Sequence, residues 1–458
     1  MVQLNRIEQD YIATRPKSQK LYACAQKLIP SGVSHDARTL RPFPPYFERA
    51  QGAKKWDVDN NIYYDMGLGH GALILGHNHP EVMAAVNQQI DKGFHYSGCH
   101  ELEINMAEQI IKLVPSAEKV RFQQSGTEAN MLAVQIARAY TGRKKLIKFK
   151  GHFHGYWNEG TLAVKAPFDA PMSIGVPEEL TSNVILVDHN DSENVKQIIG
   201  NTDDIACVIV DPAAHGFTFS NRPGFLQEIR EITREKNVVL IFDEVVSGFR
   251  CAPGGLQELL AITPDLTTLA KTIGGGLPVS AVAGKKEILD MLTKTGDYNH
   301  DRFRRVISQG THSGNAVALA AGLATLKVLS CGEPQRRLNN LGQVLRKKMN
   351  DTIKKHSIPG CARGNYSLTR IFLMHNCADF STCNFVNCTY PDLERLDKGS
   401  PSQVARNLWL ALLLYGVDLL GGSSLFLSTP LKEEDIERIV DAFDKSLLRL
   451  KQEKIMGI

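Results

Sequence analysis

Short apolar runs rich in β-branched residues alternate with amphipathic stretches through the middle of this chain. Val238-Val239-Leu240-Ile241-Phe242 is one such run; residues 205–211 (IACVIVD), Leu146 to Phe149 and Leu266 to Leu269 are others. The two longest do not alternate apolar with polar positions, which predicts strands buried on both faces. From Val120 the order is strand (VRFQQ), loop (SGTEAN) and a helix, MLAVQIARAYTG, with apolar positions at helical spacing. PGFLQEIREITREKN is a second amphipathic helix and leads directly into Val238. This alternation over residues 120–285 predicts a mainly parallel sheet with crossover helices, an α/β fold.

The flanks read differently. Residues 5–29 predict one helix with Ile7, Tyr11, Leu21, Ala25 and Leu28 inward, stopped at Pro30-Ser31-Gly32. Residues 54–65 predict a β-hairpin with Asp59-Asn60 at its turn. Beyond residue 330 the pattern predicts a helix over 335–356, a strand within NYSLTRIFLMHN and a strongly apolar helix within SPSQVARNLWLALLLYGVDLL. A strand, a loop and a helix close the chain, with Lys432-Glu433-Glu434-Asp435 in the first turn of that helix. No internal repeat or low-complexity stretch is visible.

Composition adds bounds. A chain of 458 residues exceeds one compact core, so two lobes are expected. Hydrophobic content of 43% and charged content of 22% suit a soluble globular enzyme, and a net charge of +4 gives no argument for nucleic-acid or membrane partners. No apolar run reaches the ~20 residues needed to span a bilayer. The N-terminus carries acids and no apolar core, unlike a secretory or transit segment. Nine cysteines, an odd number, form no paired framework. Cys377, Cys383 and Cys388 lack zinc spacing, and His375 has no partner at ligand spacing, so no metal is expected. Reduced thiols in a cytoplasmic protein are the expectation.

Candidate chemistry concentrates at two strand ends. Val238–Phe242 runs into Asp243 and Glu244; Leu266–Leu269 runs into Lys271, followed by Gly274-Gly275-Gly276. Ligands of open α/β sheets bind outside the strands' carboxyl ends. A lysine can form a Schiff base with pyridoxal phosphate, whose ring nitrogen needs an acid opposite it. The plainer reading is a turn-forming aspartate and a solvated lysine.

More motifs decide between them. DEVVSGFR and TTLAKTIGGGLP resemble the cofactor-lysine region of class-III, fold-type-I pyridoxal-phosphate-dependent aminotransferases. The resemblance runs from about residue 27 to about residue 445 and is closest in character to the glutamate-1-semialdehyde 2,1-aminomutase-like branch. It implies that Lys271 carries pyridoxal 5'-phosphate and moves protons, and that Asp243 faces the ring nitrogen. Val245 would lie under the ring and Phe153, beside His154, above it; most relatives have tyrosine where Phe153 stands. SGTEA makes Ser125, Gly126 and Thr127 a phosphate cup, although in isolation Ser125 with Glu128 reads as a helix cap. Asp211-Pro212 replaces the usual Glu-Pro. SQGTHSGN matches a segment whose threonine, here Thr311, reaches the phosphate in the neighbouring subunit, which implies a homodimer with active sites at the interface. Arg38 matches a residue that takes the substrate carboxylate, with Arg41 as rival. His70 stands where the aminomutases carry an aromatic residue at the substrate. The implied architecture is aspartate-aminotransferase-like. Residues 61–328 form the large cofactor domain; residues 1–60 and 329–458 form a smaller α+β domain.

Three functions compete. One is an aminotransferase passing an amino group from an amino acid or amine donor to a keto acid or aldehyde. The second is aminomutase-type transfer within one molecule, and the third a non-catalytic binding protein on the same fold. Aminomutases carry an acid three residues before the phenylalanine matching Phe426; this chain has Ser423. With His70, that favours the aminotransferase. Lys271 and Asp243 together speak against the non-catalytic reading.

Overall fold

The computed structural model describes residues 4–375 and 392–457, so Cys377, Cys383 and Cys388 lie outside the described residues. The chain forms two compact units: Met1–His79 with Arg337–Tyr390 and Lys398–Ile458, and Pro80–Arg336 with Pro391–Asp397.

The second unit is built on a seven-stranded sheet. Its strands, in spatial order, are Lys119–Gln123, Ser280–Gly284, Leu266–Leu269, Val239–Asp243, Ile205–Val210, Lys145–Phe149 and Val184–Val187. Ser280–Gly284 is antiparallel to both neighbours, and the other pairs are parallel. Every residue of Ile205–Val210 and Val239–Asp243 is buried, because helices cover both faces. Side chains alternate between the two layers. Val208, Val210, Leu240 and Phe242 pack with the helices Ser192–Asn201 and Phe225–Glu235. Cys207, Ile209 and Ile241 pack with the helix Gly126–Thr141.

The first unit holds two smaller sheets. One comprises Phe47–Gln51, Lys54–Asp57, Ile62–Asp65 and Val417–Asp418; the other comprises Gly360–Arg363, Leu368–Leu373 and Ser424–Phe426. The hairpin over 54–65 forms with Asn60 at φ 68°, as an Asp-Asn turn requires. The apolar helix is Ser402–Leu414, buried along most of its length. No single described helix is long and apolar enough to cross a membrane.

Residues 5–29 do not form one helix. Arg6–Ala13 and Pro16–Ala25 are separate, because Pro16 has no N–H to donate and takes the first-turn position of a new helix. Asp59, from the hairpin turn, accepts the N–H groups of Lys17 and Ser18 at 2.7 and 2.9 Å and so caps that second helix. The break changes the phase of the apolar face. Ile7 and Tyr11 are fully buried, whereas Leu21 and Leu28 are 42% and 83% exposed, contrary to the inward positions expected for them.

Candidate active site

Asp243 is the centre of the second unit's polar core. It ends its strand opposite Thr268 in parallel register, so it and Lys271 leave adjacent strands at the same carboxyl edge. Its Oδ2 accepts from the Asn130 amide at 2.8 Å and from His154 Nδ1 at 2.7 Å, and its Oδ1 from the Val245 N–H at 3.1 Å. A carboxylate offers only acceptors here, so His154 carries its proton on Nδ1. Its Nε2 is then a bare acceptor, buried and without a hydrogen-bond partner among the described residues. Burial holds His154 below the usual histidine range; Asp243 opposes that fall and Lys148 adds to it. Asn130 is held in turn by the Thr268 hydroxyl, which donates to its Oδ1 at 2.6 Å.

Lys271 opens a short turn, Lys271–Gly274, at φ 53°. The left-handed region is uncommon for a non-glycine residue, and in a buried lysine such strain is sustained by the surroundings, as at many functional sites. Burial lowers the proton affinity of the Lys271 amine below the usual lysine range. The Asp243 and Asp211 carboxylates pull the other way, and Arg250 adds to the fall. Desolvation loosens the amine's hold on its proton, which favours the free amine that a nucleophile or base needs.

The SGT loop adjoins both groups. Ser125 caps the helix Gly126–Thr141 in a reciprocal capping box with Glu128, whose carboxylate accepts the Ser125 N–H at 2.9 Å. The capping reading therefore holds for Ser125. The N–H groups of Gly126 and Thr127 carry no hydrogen bond among the described residues, so a cup at the same helix end is compatible with that cap. A Cβ on Gly126 would stand 2.9 Å from Val245 Cγ2 and 3.6 Å from Ala270 Cβ, so the loop lies against both strand ends. A Cβ on Gly155 would stand 2.6 Å from Thr127 Oγ1, which brings the HFHG loop to the same place. Phe153 on that loop is 41% exposed between buried His152 and His154, so it is not a core residue.

Two neighbouring acids have other work. Glu244, fully buried, accepts from the Ser247 hydroxyl, the N–H groups of Leu256 and Gln257, and the Gln257 amide, at 2.6–3.1 Å. Asp211 accepts the Ala213 N–H at 2.8 Å. Thr311 is exposed in a turn of the second unit. Arg38 and Arg41 are exposed in the first unit, where the His70 ring lies 4.4 Å from that of His35. Sequence reading overlooked Asn130 and Thr268. Asn130 sits one helical turn beyond Gly126, on the same face, and that spacing was a usable signal.

A strand-end lysine, an aspartate fed by three donors and a helix N-terminus with free N–H groups suit a phosphate-bearing cofactor with a basic ring nitrogen. The absent side chains of Gly126 and Gly155 let Val245 and Thr127 close in, which packs the loops of this site against one another. These features define a fold-type-I pyridoxal-phosphate enzyme.

Comparisons sharpen that class. Residues 36–372 match the family model described as aminotransferase class-III. The glutamate-1-semialdehyde 2,1-aminomutase of Methanosarcina acetivorans is 35% identical, covering 95% of this chain and 99% of that one. The glutamate-1-semialdehyde 2,1-aminomutase 2 of Brevibacillus brevis is 39% identical over 93% of this chain and 97% of its own. Among solved structures, an omega-transaminase from Sphaerobacter thermophilus superposes with TM-score 0.85 at 32% identity, covering 95% of this chain and 98% of that one. A glutamate-1-semialdehyde aminomutase from Pseudomonas aeruginosa shares the fold with TM-score 0.85 at 22% identity, covering 97% of each chain. The chain belongs to the class-III aminotransferase family. It is an enzyme whose cofactor is pyridoxal 5'-phosphate, which sets the non-catalytic reading aside.

Proposed function

We propose that this enzyme moves an amino group within one carboxylate-bearing substrate, in the manner of the glutamate-1-semialdehyde 2,1-aminomutases. The observation that carries the reading is identity of 35% and 39% to enzymes of that name along nearly the whole chain. Sequence alone favoured transfer between two molecules, on the strength of His70 and Ser423. Two positions weigh less than agreement over more than nine-tenths of the length. They, and the 32% identity to an omega-transaminase, still support a second reading: an aminotransferase with a keto acid or aldehyde acceptor.

Bound pyridoxal phosphate supplies a carbonyl carbon for the amine and a ring that takes up the electron pair left on the substrate carbon. The chain's own residues do the rest. Lys271 Nζ takes the proton from the substrate carbon and returns it at the next position, a role that its lowered proton affinity favours. Asp243, oriented by Asn130 and His154, holds the ring-nitrogen proton. The N–H groups of Gly126 and Thr127 take phosphate oxygens, with Ser125 keeping the helix end in place. Phe153 covers one face of the ring and Val245 the other. Arg38, with Arg41 as rival, takes the substrate carboxylate as a two-pronged donor, and His70 contributes to substrate choice. We place the enzyme in a homodimer, in which Thr311 serves the neighbouring site. The exposed apolar side chains of Phe94, Tyr298 and Phe303 support that assembly.

A spectral assay tests both readings. The purified enzyme, converted to its amino-cofactor form, is given glutamate-1-semialdehyde alone. Conversion to its isomer without any added donor is the expected result. Failure to isomerise, with loss of the near-visible cofactor band on adding one donor class and recovery on adding a keto acid, would install the aminotransferase instead. Oligomeric state is measured alongside by sedimentation, with a dimer expected.

A further inference from the structure

The loops after three neighbouring strands are tied together by two buried imidazoles. His152 follows Lys145–Phe149, His189 follows Val184–Val187, and Asp211 follows Ile205–Val210. His152 Nδ1 meets the backbone N–H of Asp211 at 3.3 Å, His152 Nε2 meets His189 Nδ1 at 3.1 Å, and His189 Nε2 meets the Ser220 carbonyl at 3.1 Å.

The direction of this chain follows from both ends independently. A backbone N–H can only donate, so His152 Nδ1 is bare and its proton sits on Nε2. A carbonyl can only accept, so His189 carries its proton on Nε2 and its Nδ1 is bare. The two deductions meet at one bond, His152 Nε2–H donating to His189 Nδ1. Either imidazolium would break one link of the chain: a proton on His152 Nδ1 opposes the Asp211 N–H, and one on His189 Nδ1 opposes the His152 Nε2–H. The surroundings favour the neutral forms. Phe149, Phe219 and Phe225 ring the pair, with His152 stacked on Phe219 at 6.4 Å and 16°. Among the described residues, titratable neighbours include Asp211, the Lys150–Asp188 ion pair beside His189, and the His154 ring at 6.0 Å from His152. Burial pushes His189 down to about 4, against the pull of the Ser220 carbonyl.

We propose that His152 is a positioning residue: locked in the Nε2–H form between Asp211 and His189, it sets the HFHG loop so that His154 Nδ1 stays on Asp243 and Phe153 stays in reach of the cofactor ring. His152 and His154 are two residues apart, with Phe153 between them, so a swing of the His152 ring is passed to both. The inference rests on the cofactor site described above and holds whichever amino-transfer reading is correct.

Histidine-selective nitrogen NMR on the full-length protein tests it, with cofactor bound and after its removal. His152 and His189 are expected as neutral Nε2–H tautomers throughout neutral pH. His152→Ala is expected to shift the His154 Nδ1–H resonance and to weaken pyridoxal phosphate binding about tenfold, as loss of one buried hydrogen bond implies. His152→Asn, whose amide oxygen can still accept the Asp211 N–H, is expected to recover both. An Nδ1–H tautomer or an imidazolium at His152 in the unmodified protein would overturn the proposal even if the alanine variant does not fold. So would a folded alanine variant whose His154 resonance and cofactor affinity are unchanged. Failure of the amino-transfer reading would leave these resonances as predicted and change only the substrates turned over.

Discussion

Asn130→Asp is the sharpest perturbation of the site, because it changes almost no volume and reverses one contact. The wild-type amide donates to Asp243 Oδ2 at 2.8 Å and to the His154 carbonyl at 3.2 Å, while its oxygen accepts from Thr268. Aspartate keeps the Thr268 bond. It loses both donations and sets a second carboxylate against the first, with Asn130 and Asp243 2% and 4% exposed. Two unit charges about 4 Å apart at an effective dielectric of 20 repel by about 4 kcal/mol. The unfolded chain feels little of this, so the folded variant relieves it by binding one proton between the two carboxyls. The folded state then binds more protons than the unfolded state, and stability falls as pH rises. Urea unfolding of the cofactor-free protein at about pH 5 and about pH 8 measures the effect. The variant should lose up to about 4 kcal/mol relative to wild type at the higher pH and much less at the lower. Equal losses at both would refute the assignment of Asn130 as a donor to Asp243, and so the account of the site.

Other outcomes follow from neighbouring contacts. Gly126→Ala should weaken cofactor binding and cost about 1–3 kcal/mol of stability through overpacking against Val245, and Val245→Ala in the same chain should recover most of it in a double-mutant cycle by urea unfolding. His189 binds protons more weakly folded than unfolded, so its stabilising share is complete above about pH 6.5 and shrinks as pH falls toward about 4. The loss is about 3 kcal/mol across that window, and a His189→Phe variant should lack that component of acid unfolding. Glu244→Gln should destabilise by about 2–4 kcal/mol, because the new amide N–H faces donors where a carboxyl oxygen accepted them; a stabilised variant in thermal unfolding would contradict this.

The central sheet was legible because its strands are buried on both faces and announce themselves as unbroken apolar runs. Lys271 and Asp243 were legible for the same reason, each standing where such a run stops. The break at Pro16 was also available, since a proline inside a helical pattern ends it, and reading residues 5–29 as one helix ignored that rule. Asn130, Thr268 and His152 were harder. Each acts through a partner far along the chain: Asn130 through Asp243, His152 through His189 and Asp211. Only the order of strands in the sheet brings those partners together, and periodicity along one segment carries no information about it. His70 and Ser423 show the opposite limit. They were readable as departures from a family pattern, yet two positions could not rank substrates against similarity over the whole chain.

The adjacent acids Asp243 and Glu244 show how one strand end divides structural from chemical work. Asp243 is the last residue of its strand and accepts from the helix Gly126–Thr141 and the HFHG loop, the elements that form the cofactor site. Glu244, one residue on, turns away and accepts four donors from Ser247, Leu256 and Gln257, which fixes the connection toward the next strand. Lys271 opens the turn that follows that next strand, Leu266–Leu269. Glu244 thus bears on where the lysine emerges, while Asp243 bears on what the lysine faces. Burial raises the proton affinity of Glu244, and two backbone N–H groups and the Gln257 amide all point protons at its two oxygens, so the connection is held by a carboxyl that cannot be traded for an amide of equal size. Strain at Lys271, with its φ of 53°, is sustained by this anchoring on the one side and by the glycines after it on the other. The geometry of the lysine is therefore a property of the strand connection as much as of the site itself.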